Sequence, residues 1–386
     1  MKRYVSIGAV AVLLAGGWVY TSRVSSTPPD PRLIKADNDF AFRLYREIAK
    51  KDSGKNIFIS PVSIALALQM TYNGATGTSR DGMAKALGLE EISLEDLNLA
   101  NARLFSMLES PNRGVELNIA NSVWTDWKLK SDFEKTMGVS YRAKFGPLNA
   151  DAINSWVDEQ TKGKIKKIVG QIEPDEFLIL VNAIYFKGKW ESRFEERFTE
   201  DMPFLTSSGK EKMTPTMYQK SKFPCVQDMG VEAIRLPYAG GRLSMYIFVP
   251  HSLASFHESL NAENWDRWMT QFESEEDVDV YLPKFKLEYE KELDDQLKAM
   301  GMREALEGRD FANMIEGGGA WISKVNHKAV VEVNEEGTEA AAAATSVGVF
   351  AGGDLFMVDR PFLFAIRDEK TGLILFMGSV VDPTEN

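Results

Sequence analysis

The sequence predicts an α+β fold. Two observations carry that reading. Apolar residues recur at helical spacing in separate segments near 38–50, 63–72 and 152–169. Alternating or β-branched runs appear near 117–125, 178–194, 204–250, 278–288 and 328–333. The chain has 386 residues, enough for one large domain or two average ones. Hydrophobic residues make up 44% and charged residues 26%, the balance of a globular protein rather than a disordered one.

The chain opens MKRYVSIGAVAVLLAGGWVYTSR. Lys2 and Arg3 precede an uncharged run, residues 5–20, that is short for a membrane span and suits a signal-peptide core. No A-x-A cleavage site follows, so an uncleaved anchor is the alternative, and both readings export the remainder: secreted, periplasmic or cell-surface. Residues 1–30 are therefore expected to be a signal or anchor plus a Pro-rich linker, with the folded domain at 31–386.

The first helix is expected near Asn38 to Lys50, through Phe40, Leu44 and Ile48, with Asp37 or Asn38 as cap. In NIFISPVS a short strand ends at Ser60-Pro61, and Ser63 to Tyr72 continues as an apolar helix up to Asn73-Gly74. Leu117 to Thr125 is a strand. Ala152 to Val169 starts as an amphipathic helix and breaks at Gly163. Leu178 to Phe194 is a buried strand with a break at Gly188, and plain core packing accounts for its Trp190. VEAIRLPY and LSMYIFVP flank Gly240-Gly241 as a hairpin. Val278 to Glu288 is a further strand, and Leu293 to Met300 a helix.

Composition also excludes chemistry. A net charge of −11 argues against nucleic acid as partner, and the lysines of Lys162, Lys164, Lys166 and Lys167 suit a solvated helix face. The single Cys225 allows no internal disulfide and no thiolate metal site. His251, His257 and His327 lack metal-ligand spacing, so neither metal nor cofactor is expected. There is no G-x-S-x-G elbow and no P-loop, and Gly74 and Gly77 do not form a dinucleotide fingerprint.

The unusual stretch is Val333 to Asp354, VNEEGTEAAAAATSVGVFAGGD. Between Glu339 and Asp354 it has no charged residue. Alanine is the best helix former, which favours a helix over Ala340 to Ala344. Gly337 and Gly348 bracket the run, however, and so short an isolated helix is marginal. Strand-like sequence flanks it on both sides. An exposed loop and a strand slid into a sheet are both compatible with its small side chains.

The EEGTEAAAAATSVG wording resembles the hinge and reactive-centre loop of inhibitory serpins. HKAVVEVNEEGTEA, RPFLFAIRDEKTGLILFMGSVVDP and NIFISPVSIALALQMTYNGATGTS are similar to other serpin segments, and matches run from about Asn38 to Pro383. The resemblance implies a serpin fold: three β-sheets, about eight or nine helices and an exposed reactive-centre loop. It implies a suicide inhibitor of serine proteases, not an enzyme, that forms a covalent acyl complex as a monomer. The hinge would comprise Glu335, Gly337, Thr338, Glu339, Ala340, Ala341, Ala342, Ala343 and Ala344. Small inward residues at Thr338, Ala340, Ala342 and Ala344 suit a central strand buried on both faces. Ser60, Asn182, His327 and Trp190 would form a structural gate; the first three also invite a hydrolase reading, which nothing local supports. Seventeen residues counted from Glu335 place the cut at Ala351-Gly352, with Phe350-Ala351 as the alternative. Either suits an elastase-type or a chymotrypsin- or subtilisin-type protease, and not trypsin. A serpin fold acting as carrier or chaperone is the alternative function.

Overall fold

The structure, a computed structural model, describes residues 28–109, 114–228, 230–338 and 354–385. The expected positions Glu339 to Ala344, Phe350, Ala351 and Gly352, and the N-terminal segment 1–27, lie outside them.

The first helix, α1 (Pro31–Asp52), starts earlier than its apolar spacing suggests. Its cap is Asp30, which accepts from the Arg32 N–H, and Pro31 sits at the first helical position. Asp37 and Asn38 lie inside the helix instead of capping it, and Asp37 is buried. After β1 (Ile57–Ile59) comes α2 (Pro61–Tyr72), which is buried on all sides and carries no charged residue. Ser60 occupies its cap position without capping, because its hydroxyl is used elsewhere. The helices α3 (Gly77–Leu87) and α4 (Leu94–Leu108) follow.

β2 (Val115–Thr125), α5 (Ser131–Ser140), β3 (Lys144–Gly146) and α6 (Ala150–Gln160) come next. The expected helix over 152–169 stops early: Lys162 and Gly163 take left-handed backbone at φ 53° and 82°. Beyond that turn Ile165, Ile168 and Val169 still bury, against Ile179, Val181 and Ala183. β4 (Leu178–Lys189) runs straight through Gly188, so the glycine does not break the strand. A Cβ there would meet the Tyr238 ring at 2.7 Å, which explains a glycine in mid-strand.

The C-terminal half holds β5 (Glu200–Leu205), β6 (Glu211–Asp228), β7 (Val231–Pro237), β8 (Leu243–Pro250), α7 (Leu253–Ser259) and α8 (Ala262–Met269). The single strand expected at 278–288 is two, β9 (Glu275–Pro283) and β10 (Phe285–Glu292), in different sheets. Pro283 and Lys284 form the crossing point. α9 (Asp294–Leu297) passes through a kink at Gly301, φ 101°, into α10 (Arg303–Glu307), so the helix expected over 293–300 is interrupted. β11 (Lys324–Asn334), β12 (Gly337–Thr338), β13 (Asp354–Met357), β14 (Phe362–Asp368) and β15 (Ile374–Val380) complete the fold.

One sheet has six strands in the order β10-β11-β12-β4-β2-β3. The other strands form a nine-stranded sheet in which the long β6 joins two lobes: one end pairs with β5 and β9, the other with β7. The three expected sheets are thus the six-stranded sheet and these two lobes. One continuous apolar core, from Leu33 on α1 to Val380 on β15, lies between the six-stranded sheet, the helices and the β15-β14-β8 region. The chain is one α+β domain.

Candidate functional site

The site is the seam between β11 and β4 in the middle of the six-stranded sheet. These strands pair in parallel, Lys324 opposite Ile179 through Ala329 opposite Ile184. Above that point they part, and β12 fills the gap: Gly337 and Thr338 pair antiparallel with Asn334 and Val333 on one side and with Lys189 and Gly188 on the other.

Lower on the seam, His327 lies opposite Asn182 in register. Along β4 the even-numbered side chains Leu180, Ile184 and Phe186 face the main core while Ile179, Val181 and Ala183 face α6. Period 2 therefore sends Asn182 inward beneath the sheet toward α2. Its amide donates to Ser63 Oγ and, at 2.8 Å, to Asn121 Oδ1. His327 is fully buried and accepts from the Ser60 main-chain N–H at 3.2 Å through Nε2. Burial pulls its pKa down to about 3, so the ring is neutral near pH 7. The Ser60 hydroxyl donates to the Leu375 carbonyl at 2.7 Å. A nucleophile needs its hydroxyl on the base; here the hydroxyl faces a carbonyl and the imidazole faces an amide, so the trio clamps α2 to the two strands and does not activate an oxygen.

Trp190 does not join this trio. It follows β4 by eight residues from Asn182, about 26 Å at strand rise. There it stacks on Tyr238 with ring centres 4.7 Å apart and an interplanar angle of 9°. Its indole N–H donates to the Asn334 carbonyl at 3.0 Å and its main-chain N–H to the Glu336 carbonyl at 2.9 Å. It thus holds the chain leaving β11, a role that simple core packing does not describe.

Three expected hinge residues are described, and all are anchored. Thr338 is fully buried, its hydroxyl 2.8 Å from the Tyr238 hydroxyl. Gly337 has φ 148°, and a Cβ there would come within 2.0 Å of the Gly188 carbonyl oxygen, so only glycine passes. Glu335 is buried and bonded to Lys284 Nζ and, at 2.8 Å, to the Thr199 hydroxyl. Burial alone would raise its pKa, but the Lys284 and Thr199 bonds outweigh it and the carboxyl stays below its usual range.

Tyr238, Lys284, Thr199, Ser63 and Asn121 escaped sequence reasoning. Tyr238 adjoins the Gly240-Gly241 turn and Lys284 follows Pro283, both positions whose local signal is only a turn. Nothing near Thr199 marks it as a partner of Glu335.

The family model described as "Serpin (serine protease inhibitor)" matches residues 35–383. The leukocyte elastase inhibitor of Xenopus tropicalis is 35% identical over 377 residues, covering 91% of this chain and 99% of that protein. An uncharacterized serpin-like protein of Thermococcus kodakarensis is 35% identical over 374 residues, covering 92% of this chain and 86% of that protein. Among solved structures, the native thermophilic serpin tengpin superposes with a TM-score of 0.84 at 30% identity, covering 94% and 98% of the two chains. Human thyroxine-binding globulin, solved in complex with thyroxine, gives 0.86 at 29% identity, covering 92% and 99%.

Proposed function

The chain belongs to the serpin family of serine protease inhibitors, and from that membership we propose that it traps its target as a covalent acyl-enzyme while the cut segment after Thr338 inserts between β11 and β4. One observation carries the reading: β12 already occupies the upper end of that seam, paired on both sides. In the same antiparallel register Ala340 falls opposite Val331 and Phe186, Ala342 opposite Ala329 and Ile184, and Ala344 opposite His327 and Asn182. Those neighbours face the core, so the new strand must present small residues there, and alanine supplies them. Glu339, with the opposite parity, falls outward beside Lys187 and Glu332. Insertion separates the six residue pairs that join β4 and β11 directly, and Asn182 and His327 of the clamp lie on that stretch.

The reading assigns the bond Ala351-Gly352, with Phe350-Ala351 as its neighbour, to an elastase-type or else a chymotrypsin- or subtilisin-type target. The chemistry is a single acyl transfer: the protease serine oxygen bonds to the carbonyl carbon before the cut, the peptide C–N bond breaks, and the serine proton leaves on the amine of the following residue. The serpin domain is assigned to 31–386 and acts as a monomer. Export rests on residues 1–30; among the described residues no helix is long and apolar enough to cross a membrane.

Incubation with a panel of elastase-, chymotrypsin-, subtilisin- and trypsin-type proteases tests the proposal. A 1:1 adduct that survives SDS with one of the first three supports it. Turnover of the loop by every protease without an adduct removes trapping and leaves the carrier reading.

A further inference from the structure

Asp37 sits in α1 with its carboxyl fully enclosed, among residues that offer it no positive charge. Its Oδ1 accepts from Gln69 of α2 at 2.6 Å; its Oδ2 has no partner. Gln69 Oε1 accepts from Asn101 of α4 at 2.9 Å. Asn101 also donates to the Tyr141 hydroxyl at 3.1 Å, which in turn donates to Asn98 at 3.0 Å, and Asn98 donates to Asn73 at 2.8 Å. Thus one hydrogen-bonded chain ties α1, α2, α4 and the end of α5 together. Asn101 Oδ1 in that chain also lacks a donor. An ionised carboxylate needs donors and counter-charge when buried, and this one has a single neutral amide.

No charged group of the surrounding elements figures among the influences on Asp37. On α1, Lys35 pairs with Asp39, and Arg43 donates to the Ala86 carbonyl. α2 has none. On α3, Arg80 lies over the Tyr72 ring; Lys85 and Asp81 complete that element. On α4, Arg103 bears on Asp30, and Glu95 and Asp96 stand at its first turn; on α5 the charges are Asp132, Glu134 and Lys135. Burial and the Gln69 bond are the influences on Asp37, and burial prevails.

We propose that Asp37 is a proton-binding device of the helical layer: the native fold holds it as the neutral acid, with the proton on Oδ2, and its ionisation loosens the junction of α1, α2 and α4. No bond is made or broken besides the O–H, and the proton comes from and returns to water. Burial pushes the carboxyl from 3.8 up to about 7. A folded-state value above the unfolded one means a contribution complete below about 3.8 and lost as pH rises, until it is gone above about 7. The helix that carries Gln69 also carries Ser63, the partner of Asn182 beneath the seam.

Other groups titrate in the same range. His327 and His257, held neutral by burial at about 3 and about 4, act in the opposite direction, and Asp294, raised by burial to about 6, acts in the same one. The test is therefore a difference. Folding equilibria of the full chain and its Asp37→Asn variant are measured by denaturant between about pH 5 and pH 8. The wild type is expected to lose about tenfold in folding constant per pH unit relative to the variant up to about pH 7, then to run parallel. Parallel curves throughout overturn the proposal. If Asp37→Asn does not fold, carboxyl NMR of ¹³C-aspartate-labelled Asp294→Asn protein decides: a buried aspartate titrating near 7 supports it, and all aspartates titrating below about 5 overturn it.

Discussion

The Thr338 hydroxyl lies 2.8 Å from the Tyr238 hydroxyl, at a point where Tyr238 also stacks on Trp190. Thr338, the second residue of β12, is thus pinned from below by a phenol and flanked by strands on both sides. Thr338→Arg must bury a guanidinium in that slot at a cost of several kcal/mol. The variant is expected to be cut as a substrate, with the stoichiometry of inhibition rising at least tenfold in a protease titration. Unchanged stoichiometry would dismiss the hinge assignment.

Cleavage between Gly348 and Asp354 is expected to stabilise the protein. About a dozen new ladder bonds at roughly 0.5–1.5 kcal/mol each amount to on the order of 10 kcal/mol. That is comparable with a typical protein's whole stability, so insertion on this scale would require the uncut fold to be kinetically trapped. Calorimetry should show the melting temperature rising by on the order of 20 °C after the cut. A cut form melting at or below the intact one contradicts insertion.

His327→Ala is expected to favour polymers or a latent form on mild heating. It strands the Ser60 N–H and removes a side chain shared by β11 and α2, at about 1–3 kcal/mol. Because burial lowers the imidazole to about 3, its contribution is full above about 6.5 and lost as pH falls toward 3. Native gels after prolonged incubation check the variant; a protein that stays monomeric and fully inhibitory would exclude the clamp.

The Glu335 ion pair with Lys284 anchors the start of the expected hinge. Lys284 is partly exposed, so Glu335→Gln is expected to cost only about 1 kcal/mol near neutral pH. The folded carboxyl titrates below its usual 4.5, so its contribution is present above that pH and fades as pH falls below it. The melting offset between variant and wild type should therefore shrink on acidification. An offset that persists far below pH 4 would rule out the pair as its source.

The C-terminal peptide released with the adduct reports the bond. Mass spectrometry is expected to find a fragment beginning at Gly352, or at Ala351 if the register is one residue shorter. A start outside Val349 to Asp354, or rapid inhibition of a trypsin-type protease, would contradict the assignment, since no Lys or Arg occurs from Gly337 to Val358.

By itself the sequence determined the class of fold, the family and the positions of Gly337, Thr338, Ser60, Asn182 and His327. Gly337, Thr338 and Ser60 are marked locally, by glycine where the backbone needs it, by small residues in a run, or by an NIFISPVS-type motif, whereas Asn182 and His327 are reached through the serpin resemblance of the segments that carry them. Only the tertiary structure decided how they are grouped. It put Ser60, Asn182 and His327 under one seam and set Trp190 against the chain leaving β11, because register and strand rise, not order in the chain, set which side chains meet. It split the strand at 278–288 between two sheets, since periodicity reports burial and not the partner strand. It also supplied Tyr238, Lys284 and Thr199, up to 136 positions away from the residues they hold. A polar partner that far along the chain leaves no trace in local pattern, and burial is what makes the pairing obligatory.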